Sequence, residues 1–326
     1  MSDQFLEIKN VTKIYRTGGL IGSRKLAAVD NVNITIAKGK PKILSIVGES
    51  GSGKTTLARM ILRLIQPSSG EIVVDGLSTG GSLRRAQLTE FRRRVQPIFQ
   101  NPFESFSSRK TVDTYLFETA RNVWGAKGKK AAHEAVDQAL VNVGLSAERV
   151  IGRYPNQFSG GELQRVSVAR AIIPHPELLV ADEPVSMIDA SLRMNVVNLF
   201  KKLRDDFDIN ILYITHDLST AYYVSDLIAI MYRGNVVEYG PATKVLTQPA
   251  HPYTELLLDS IPKIGERWEE LVRLPDMETK EYGYVGCKFA GRCPYVRDIC
   301  RKVKPPLVKT EDSREVLCFK LVDFQT

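Results

Sequence analysis

The stretch that most constrains the fold is "KILSIVGESGSGKTTLARMILRLI", which begins at Lys42. An apolar run, a glycine-rich turn and a run with helical spacing follow one another without a break. Because the apolar run does not alternate with polar residues, it predicts a strand buried on both faces of a parallel sheet. Strand, glycine loop and helix in this order are typical of a phosphate-binding unit. The sequence therefore predicts an α/β fold of the P-loop NTPase type.

The glycine-rich turn "GESGSGKT" matches the phosphate-loop pattern G-x-x-x-x-G-K-[ST]. Its glycines let successive backbone N–H groups turn inward around phosphates, and Lys54 is expected to contact the β- and γ-phosphates. The Thr55 hydroxyl is expected to ligate Mg²⁺. The predicted nucleotide-binding residues of this loop are Gly48, Glu49, Ser50, Gly51, Ser52, Gly53, Lys54, Thr55 and Thr56. The pattern alone does not separate kinases, GTPases and ATPases.

Two later apolar runs, "ELLVADEP" and "NILYITHD", are predicted to be further buried strands that end in polar residues. Functional groups in such sheets lie beyond the carboxyl ends of the strands. Asp182 is expected to hold Mg²⁺ through its water shell, and Glu183 to orient or deprotonate the attacking water. Adjacent acids at the end of a buried strand are costly unless they face a cation.

Besides the phosphate loop, the chain has a glycine pair, Gly160 and Gly161, which follows Ser159 at the start of a predicted helix. Bare backbone N–H groups at such a position suit a phosphate. This site has no lysine of its own and lies far along the chain from the first loop. We therefore expect it to close on the γ-phosphate held by another molecule, so that ATP is clamped between two chains.

The chain is predicted to have two parts, with the boundary near Gly240. Residues 1–240 are expected to form a nucleotide-binding domain, with a strand-rich edge at its start and a helical subdomain at about 83–173. Residues 241–326 are expected to form a small extension, because the sequence there becomes rich in proline, turns and cysteine.

All four cysteines lie in this extension, at Cys287, Cys293, Cys300 and Cys318. Disulfides are disfavoured in a reducing cytosol. Thiolates grouped so closely suit a [4Fe–4S] cluster or tetrahedral Zn²⁺, and four unligated cysteines are the third alternative. The spacings C-x5-C, C-x6-C and C-x17-C are wider than those usual for structural zinc.

Composition limits the location and the partners. The longest apolar runs reach only about a third of the roughly 20 residues of a membrane helix, and the start of the chain does not resemble a signal peptide. The chain is therefore expected in the cytoplasm. The net charge of +8 permits nucleic acid or an anionic membrane surface as a neighbour.

The order of these motifs resembles the nucleotide-binding domain of ABC (ATP-binding cassette) transporters over about residues 1–240. The resemblance implies a role for each of several residues: Tyr15 stacks on adenine, Gln100 touches Mg²⁺ and senses the membrane subunit, Ser159 to Gly161 are the signature motif, Asp182 and Glu183 are the Walker B pair, Asp189 belongs to the D-loop, and His216 is the switch histidine. The chain departs from the family at Phe158, Glu162, Met187 and Ile188, and none of these removes a phosphate-contacting atom.

The extension is similar to the segment that follows the ATPase domain in oligopeptide, dipeptide and nickel importers. This resemblance favours the iron–sulfur cluster over zinc. It implies an ATPase that drives peptide uptake with two membrane permease subunits, a second ATPase subunit and, indirectly, an extracytoplasmic substrate-binding protein. The ATPase is then peripheral, at the cytoplasmic face of the membrane. Oligosaccharide or nickel cargo is an alternative.

Two further alternatives come from other classes of protein. One is an ABC ATPase acting on nucleic acid, which is disfavoured because the stretch between Lys54 and Ser159 is too short for the coiled coil of repair ATPases. We therefore expect no nucleic-acid partner. The other is a non-transport iron–sulfur protein that uses ATP as a switch, which only the cysteines support.

Overall fold

The computed structural model describes residues 3–17, 24–81, 83–260 and 279–322. The chain divides into two compact units. The first unit comprises Met1–Lys38, Leu44–Gly80 and Thr215–Thr326, and the second comprises Gly39–Ile43 and Gly81–Ile214. Each unit is described by itself.

The strands of the two units, in chain order, are β1 (Gln4–Thr17), β2 (Arg24–Ala37), β3 (Ile43–Val47), β4 (Ser69–Val74), β5 (Leu77–Ser78), β6 (Val95–Ile98), β7 (Leu178–Asp182), β8 (Asn210–Thr215), β9 (Leu227–Tyr232), β10 (Asn235–Pro241), β11 (Leu307–Lys309) and β12 (Glu315–Leu317). The helices are α1 (Lys54–Ile61), α2 (Arg85–Arg94), α3 (Val112–Thr119), α4 (Gly128–Asn142), α5 (Ala147–Val150), α6 (Gly160–Ile172), α7 (Ala190–Phe207), α8 (Leu218–Val224), α9 (Ala242–Thr247), α10 (Pro252–Asp259) and α11 (Asp298–Lys302). None of the described helices combines the length and the apolar character that a membrane span requires.

The first unit contains an antiparallel sheet in the order β2-β1-β4-β5. Strands β1 and β2 alternate buried apolar residues with exposed polar ones, and Leu6, Ile8 and Ile34 contribute to the core. This period-two pattern is what one buried face of an antiparallel sheet requires. The predicted strand-rich edge is present.

A second sheet of this unit joins β3 to the C-terminal part of the chain. Strand β3 pairs in parallel with β9, β9 pairs antiparallel with β10, and β10 pairs antiparallel with β12, which in turn pairs with β11. All five residues of β3 are buried, as its uninterrupted apolar sequence predicts. The phosphate loop begins directly after this strand.

The second unit has parallel strands in the order β6-β7-β8. Helices α3, α4 and α6 belong to the same unit, in the region predicted to be helical. That region differs from the prediction at Val95–Ile98, which forms β6 and pairs with β7. Helix α3, which begins at Val112, continues directly into a π-helical turn at Ala120–Trp124.

The described residues after Gly240 pack within the first unit. Tyr232 of β9, Tyr253 of α10 and Phe289 share one apolar cluster, and each is almost fully buried. The Tyr232 and Tyr253 rings lie 4.5 Å apart, and Phe289 meets Tyr232 edge-on at 5.3 Å. The extension therefore shares a core with the sheet that holds the phosphate loop. The division near Gly240 remains a prediction.

Candidate functional site

The phosphate loop joins β3 to α1 and is closed by its own lysine. Lys54 is buried, and its Nζ donates to the carbonyl oxygens of Gly48 at 2.7 Å and Glu49 at 2.9 Å. The ammonium group therefore lies across the mouth of the loop. Lys54 is also the first residue of α1, where the helix dipole adds partial positive charge. The arrangement favours a bound anion.

Two glycines of the loop are required by close backbone approach. A Cβ on Gly48 would overlap the carbonyl oxygen of Met231, and a Cβ on Gly53 would overlap that of Ala28. Gly53 also has a φ of 106°, which L side chains rarely adopt. The loop thus keeps its backbone against neighbouring strands of its own unit, with no room for side chains there.

A further observation indicates that this loop can bind a phosphate. The Ser52 hydroxyl is buried and has no hydrogen-bond partner among the residues that the structure describes. A buried hydroxyl without a partner costs free energy, so such a group generally marks a missing ligand or water. Together with Lys54 and the start of α1, it offers the donors that a nucleotide phosphate accepts from.

Three residues of the extension contact the same loop. The Arg292 guanidinium donates to both carboxylate oxygens of Glu49, with Nη1–Oε2 at 3.1 Å and Nη2–Oε1 at 3.0 Å. The Glu49 backbone N–H donates to the Tyr253 hydroxyl at 3.1 Å. The Tyr282 hydroxyl donates to the carbonyl oxygen of Gly51. Burial raises the pKa of Tyr253, so its hydroxyl keeps its proton.

The second unit brings together Gln100 and Glu183. The Gln100 side-chain amide donates to the Glu183 carboxylate, with Nε2–Oε2 at 3.0 Å. Asp182 is the last residue of β7, and Glu183 follows with a φ of 46°, in a region that non-glycine residues rarely occupy. The Glu183 backbone N–H is held by the carbonyl oxygen of Ile214 at 2.9 Å. The surrounding strands therefore fix this strained backbone and aim the carboxylate.

Gly160 and Gly161 begin α6, and Ser159 and Glu162 form a reciprocal cap at this helix start. Ser159 Oγ accepts from the Glu162 N–H at 3.2 Å, and Glu162 Oε2 accepts from the Ser159 N–H at 3.0 Å. The hydrogen bond from the Ser159 backbone holds the pKa of Glu162 below its usual value. The departure from the family at Glu162 therefore supplies half of a helix cap.

Two of the other departures, Met187 and Ile188, lie next to this helix start. A Cβ on Gly160 would lie 3.0 Å from the Met187 carbonyl oxygen, and one on Gly161 would lie 3.6 Å from Ile188. Ile188 is buried, whereas Met187 is exposed. The approach of the segment before α7 is therefore tight at Gly160, whereas a side chain at Gly161 would make an ordinary van der Waals contact.

The remaining predicted residues occupy separate places. Tyr15 lies on β1, more than a third exposed, with Lys13 Nζ 5.5 Å from its ring centroid. Asp189 is exposed at the N-cap position of α7, where its side chain makes no capping hydrogen bond, and His216 is exposed between β8 and α8. The roles predicted for these side chains, and for those of the phosphate loop, are taken up under the proposed function.

The structure corrects the expectation for the cysteines. Among residues 3–17, 24–81, 83–260 and 279–322, no group of three or more Cys, His, Asp or Glu side chains is arranged to hold a metal ion. Cys287 and Cys293 pack against the apolar cluster around Phe289. Burial raises the pKa of Cys287 to about 11 and also raises the pKa of Cys293 and Cys318.

Burial thus favours the neutral form of the Cys287, Cys293 and Cys318 thiols in the chain without a metal. All four cysteines, Cys287, Cys293, Cys300 and Cys318, are free. The prediction of a [4Fe–4S] cluster was wrong, and the alternative of Zn²⁺ finds no support. The sequence pattern was misleading because close spacing along the chain does not by itself produce ligand geometry.

Comparison with known proteins identifies the family. The ABC transporter family profile matches residues 29–186, and the profile of the oligopeptide/dipeptide transporter C-terminal region matches residues 237–300. The oligopeptide transport ATP-binding protein AppF of Bacillus subtilis is 35% identical over 97% of this chain and 97% of its own length. The chain belongs to the ABC transporter ATP-binding proteins.

Other relatives of this ABC ATPase carry similar names. The probable peptide ABC transporter ATP-binding protein y4tS of Sinorhizobium fredii is 36% identical over 98% of this chain and 90% of its own length. AmiF of Streptococcus pneumoniae, an oligopeptide transport ATP-binding protein, is 41% identical over 80% of this chain and 83% of its own length. Membership of the family makes this chain an ATPase.

Solved structures show the same fold. The post-hydrolysis dimer of the ATP-binding cassette MJ0796, bound to ADP and Pi, is 29% identical, with a TM-score of 0.63 over 73% of this chain and 98% of that chain. The structure of cbiO1 from Clostridium perfringens is 23% identical, with a TM-score of 0.62 over 76% and 92% of the two chains. The expected P-loop fold of the ABC ATPase is confirmed.

Sequence reasoning missed the residues of the extension that contact the phosphate loop. Arg292 lies between Gly291 and Cys293 in a turn-rich segment, and no pattern around it indicates a partner. Glu49 offers the only signal, because an acid inside an anion-binding loop requires a cation nearby. That signal does not say which of the chain's many basic residues supplies the charge.

Proposed function

We propose that this chain is the ATP-hydrolysing subunit of an importer that takes up oligopeptides or dipeptides through a separate membrane permease. The observation that carries the proposal is the match of residues 237–300 to the oligopeptide/dipeptide transporter C-terminal region. The full-length similarity to proteins named for peptide transport supports it.

ATP binding is assigned to the phosphate loop and its surroundings. The triphosphate binds against Lys54, the Ser52 hydroxyl and the backbone of Gly48 to Thr56, with Tyr15 stacked on adenine. Thr55, Asp182 and Gln100 would hold Mg²⁺, because hydroxyl, carboxylate and amide oxygens are the donors it prefers. When bound, Mg²⁺ neutralises charge that develops on the phosphates during transfer.

Hydrolysis is assigned to Glu183 and His216. Glu183 orients the attacking water and accepts its proton, and the 3.0 Å bond from Gln100 holds that carboxylate in one orientation. His216 has the switch-histidine role that the resemblance to the family implies. In a dimer, Ser159, Gly160 and Gly161 complete the site of the partner chain, and Asp189 lies beside the same interface.

Permease binding is assigned to the second unit. Four aromatic side chains among the described residues of this unit are exposed by more than a third, namely Phe99, Phe103, Trp124 and Tyr154. Exposed aromatic residues are enriched where proteins bind one another. These aromatic residues would contact a cytoplasmic helix of a permease subunit, and the complete importer would contain two such subunits. The ATPase would then be peripheral at the cytoplasmic face of the membrane, with a second copy or a paralogue as its partner and a substrate-binding protein beyond the membrane.

The test is a pull-down of the Glu183→Gln chain from its native membranes with MgATP. We expect this variant to bind ATP without turning it over, and so to stay in the closed dimer together with two permease subunits. Lys54→Ala is the matched control, because it removes the phosphate-binding cation and should recover no ATP-dependent complex.

Four outcomes would each contradict a part of the proposal. Rapid ATP turnover by Glu183→Gln would remove Glu183 from the catalytic role. Full activity of Lys54→Ala would remove the phosphate-loop assignment. Recovery of nucleic acid or soluble factors without any permease would exclude transport, and a permease associated with sugar or nickel binding would correct the cargo.

A further inference from the structure

We propose that Arg292 of the C-terminal extension is a positioning residue for ATP, which neutralises Glu49 inside the phosphate loop and thereby sets the affinity for nucleotide. The proposal rests on the assignment of the triphosphate to this loop. It gives the extension a part in nucleotide binding that the ABC transporter profile, which ends at residue 186, does not contain.

The contact is a two-point ion pair with little access to water. The guanidinium donates in parallel to both carboxylate oxygens of Glu49, at 3.0 and 3.1 Å. The side chains are 5% exposed for Arg292 and 16% exposed for Glu49. Such forked pairs are the stronger class of charge-assisted hydrogen bond, and they fix orientation as well as charge.

The electrostatic problem that this pair solves lies in the loop itself. Glu49 follows Gly48 directly and carries a negative charge within an element that binds a polyanion. A carboxylate left unpaired there would repel the phosphates, and partial burial would strengthen that repulsion. Arg292 cancels the charge and holds the carboxylate in one place.

The arginine is itself held by buried aromatic residues. Its guanidinium lies 5.8 Å from the ring centroids of both Tyr232 and Phe289, which belong to the shared apolar core. Next to it, the buried Arg233 Nη2 forms an ion pair with Glu281 at 2.8 Å. The Arg292 side chain is thus fixed by the packing of the extension.

Two further contacts make the loop backbone depend on the same region. The Tyr253 hydroxyl accepts from the Glu49 N–H, and the Tyr282 hydroxyl donates to the Gly51 carbonyl oxygen. Hydrogen bonds that hold the loop backbone before nucleotide binds lower the entropic cost of binding. By linkage, bound nucleotide must stabilise the extension to the same degree.

The test is a double-mutant cycle on the full chain, with the Kd of MgATP measured by calorimetry. Arg292→Gln should weaken MgATP binding by about tenfold, because it leaves a partly buried carboxylate unpaired beside the phosphates. Removing the charge that needs pairing, in Glu49→Gln/Arg292→Gln, should recover most of that loss. Arg292→Lys keeps the charge without the fork and should fall between the parent and Arg292→Gln.

The matched control is Arg314→Gln, which breaks the ion pair between Arg314 of the extension and the buried Glu238 of β10. It should lower Tm while leaving the Kd of MgATP within about twofold, since Arg314 does not contact the loop. The affinity deficit of Arg292→Gln should also shrink as salt is raised, a response that a purely structural defect would not give.

The outcomes separate this proposal from the one on which it depends. If Lys54→Ala abolishes MgATP binding but Arg292→Gln binds as tightly as the parent, only the role of Arg292 is excluded. If the double variant binds as weakly as Arg292→Gln, charge neutralisation is excluded. If Arg292→Gln does not fold, Glu49→Gln makes the same test: it removes the negative charge and should bind MgATP at least as tightly as the parent, and weaker binding would overturn the proposal.

Discussion

His251 is a residue whose charge state the fold decides. The imidazole is buried at the start of α10, where its Nδ1 accepts from the Tyr253 N–H at 3.0 Å. Its own backbone N–H donates to the Glu238 carboxylate at 3.0 Å. Burial lowers the pKa of His251 to about 3. The folded chain therefore holds this side chain neutral.

A pH dependence of stability follows from that shift. Below pH 6.5 the unfolded chain binds a proton at this position and the folded chain does not, so the free energy of unfolding falls as pH falls. The loss from His251 is about 1.4 kcal/mol per pH unit between roughly pH 6 and pH 4. Urea denaturation of the parent and of His251→Asn, which keeps an acceptor near the Nδ1 position, should show this difference in slope.

The control for this prediction is His133→Asn, because His133 is exposed on α4. It should keep the pH slope of the parent. An equal slope for His251→Asn and the parent would mean that His251 is protonated in the folded chain.

The start of helix α6 has both a structural role and a proposed functional role. Ser159→Ala removes the side-chain acceptor for the Glu162 N–H and should lower the free energy of unfolding by about 1 kcal/mol in the absence of nucleotide. The exposed Ser191, in the first turn of α7, is the matched site, and Ser191→Ala should change stability by less than about 0.5 kcal/mol. Thermal or urea unfolding measures both. Equal effects at the two sites would exclude the cap.

Elements with a strong local signal could be predicted from the sequence. Strand β3, the phosphate loop and α1 follow from an apolar run, three glycines and helical spacing, all of which act over short distances. Strand β6 could not be predicted, because "VQPI" is short and contains a proline, and its pairing with β7 depends on residues far along the chain. Parallel pairing of this kind leaves little trace in either segment alone.

At the scale of the molecule, the extension and the nucleotide-binding sheet share a core. Phe289 is 1% exposed and packs against Tyr232 and Tyr253. Phe289→Ala should therefore lower the free energy of unfolding by about 3–5 kcal/mol, measured by urea denaturation. Val285→Ala is the control, at a side chain that is 78% exposed, and should cost less than about 0.5 kcal/mol. A small effect at Phe289 would mean that the extension is only loosely attached.

Some residues of the candidate site could be predicted from the sequence and others could not. Gln100, Asp182 and Glu183 could be named because each lies in a recognisable local context. The partnership of Glu49 with Arg292 could not, since it joins residues 243 positions apart. The prediction of a metal cluster was wrong because close spacing of cysteines along the chain does not fix ligand geometry, and the described residues show no group arranged to hold a metal ion.

The first unit is assembled from separate stretches of the chain, and this determines when its nucleotide site can form during synthesis. The phosphate loop emerges from the ribosome early, whereas Tyr253, Tyr282 and Arg292, which hold it, emerge some two hundred residues later. Most of the second unit is one continuous stretch, residues 81–214, and can fold in between. A nascent chain thus completes its nucleotide site only when the extension has been made, so truncated products carry the loop without its supporting contacts.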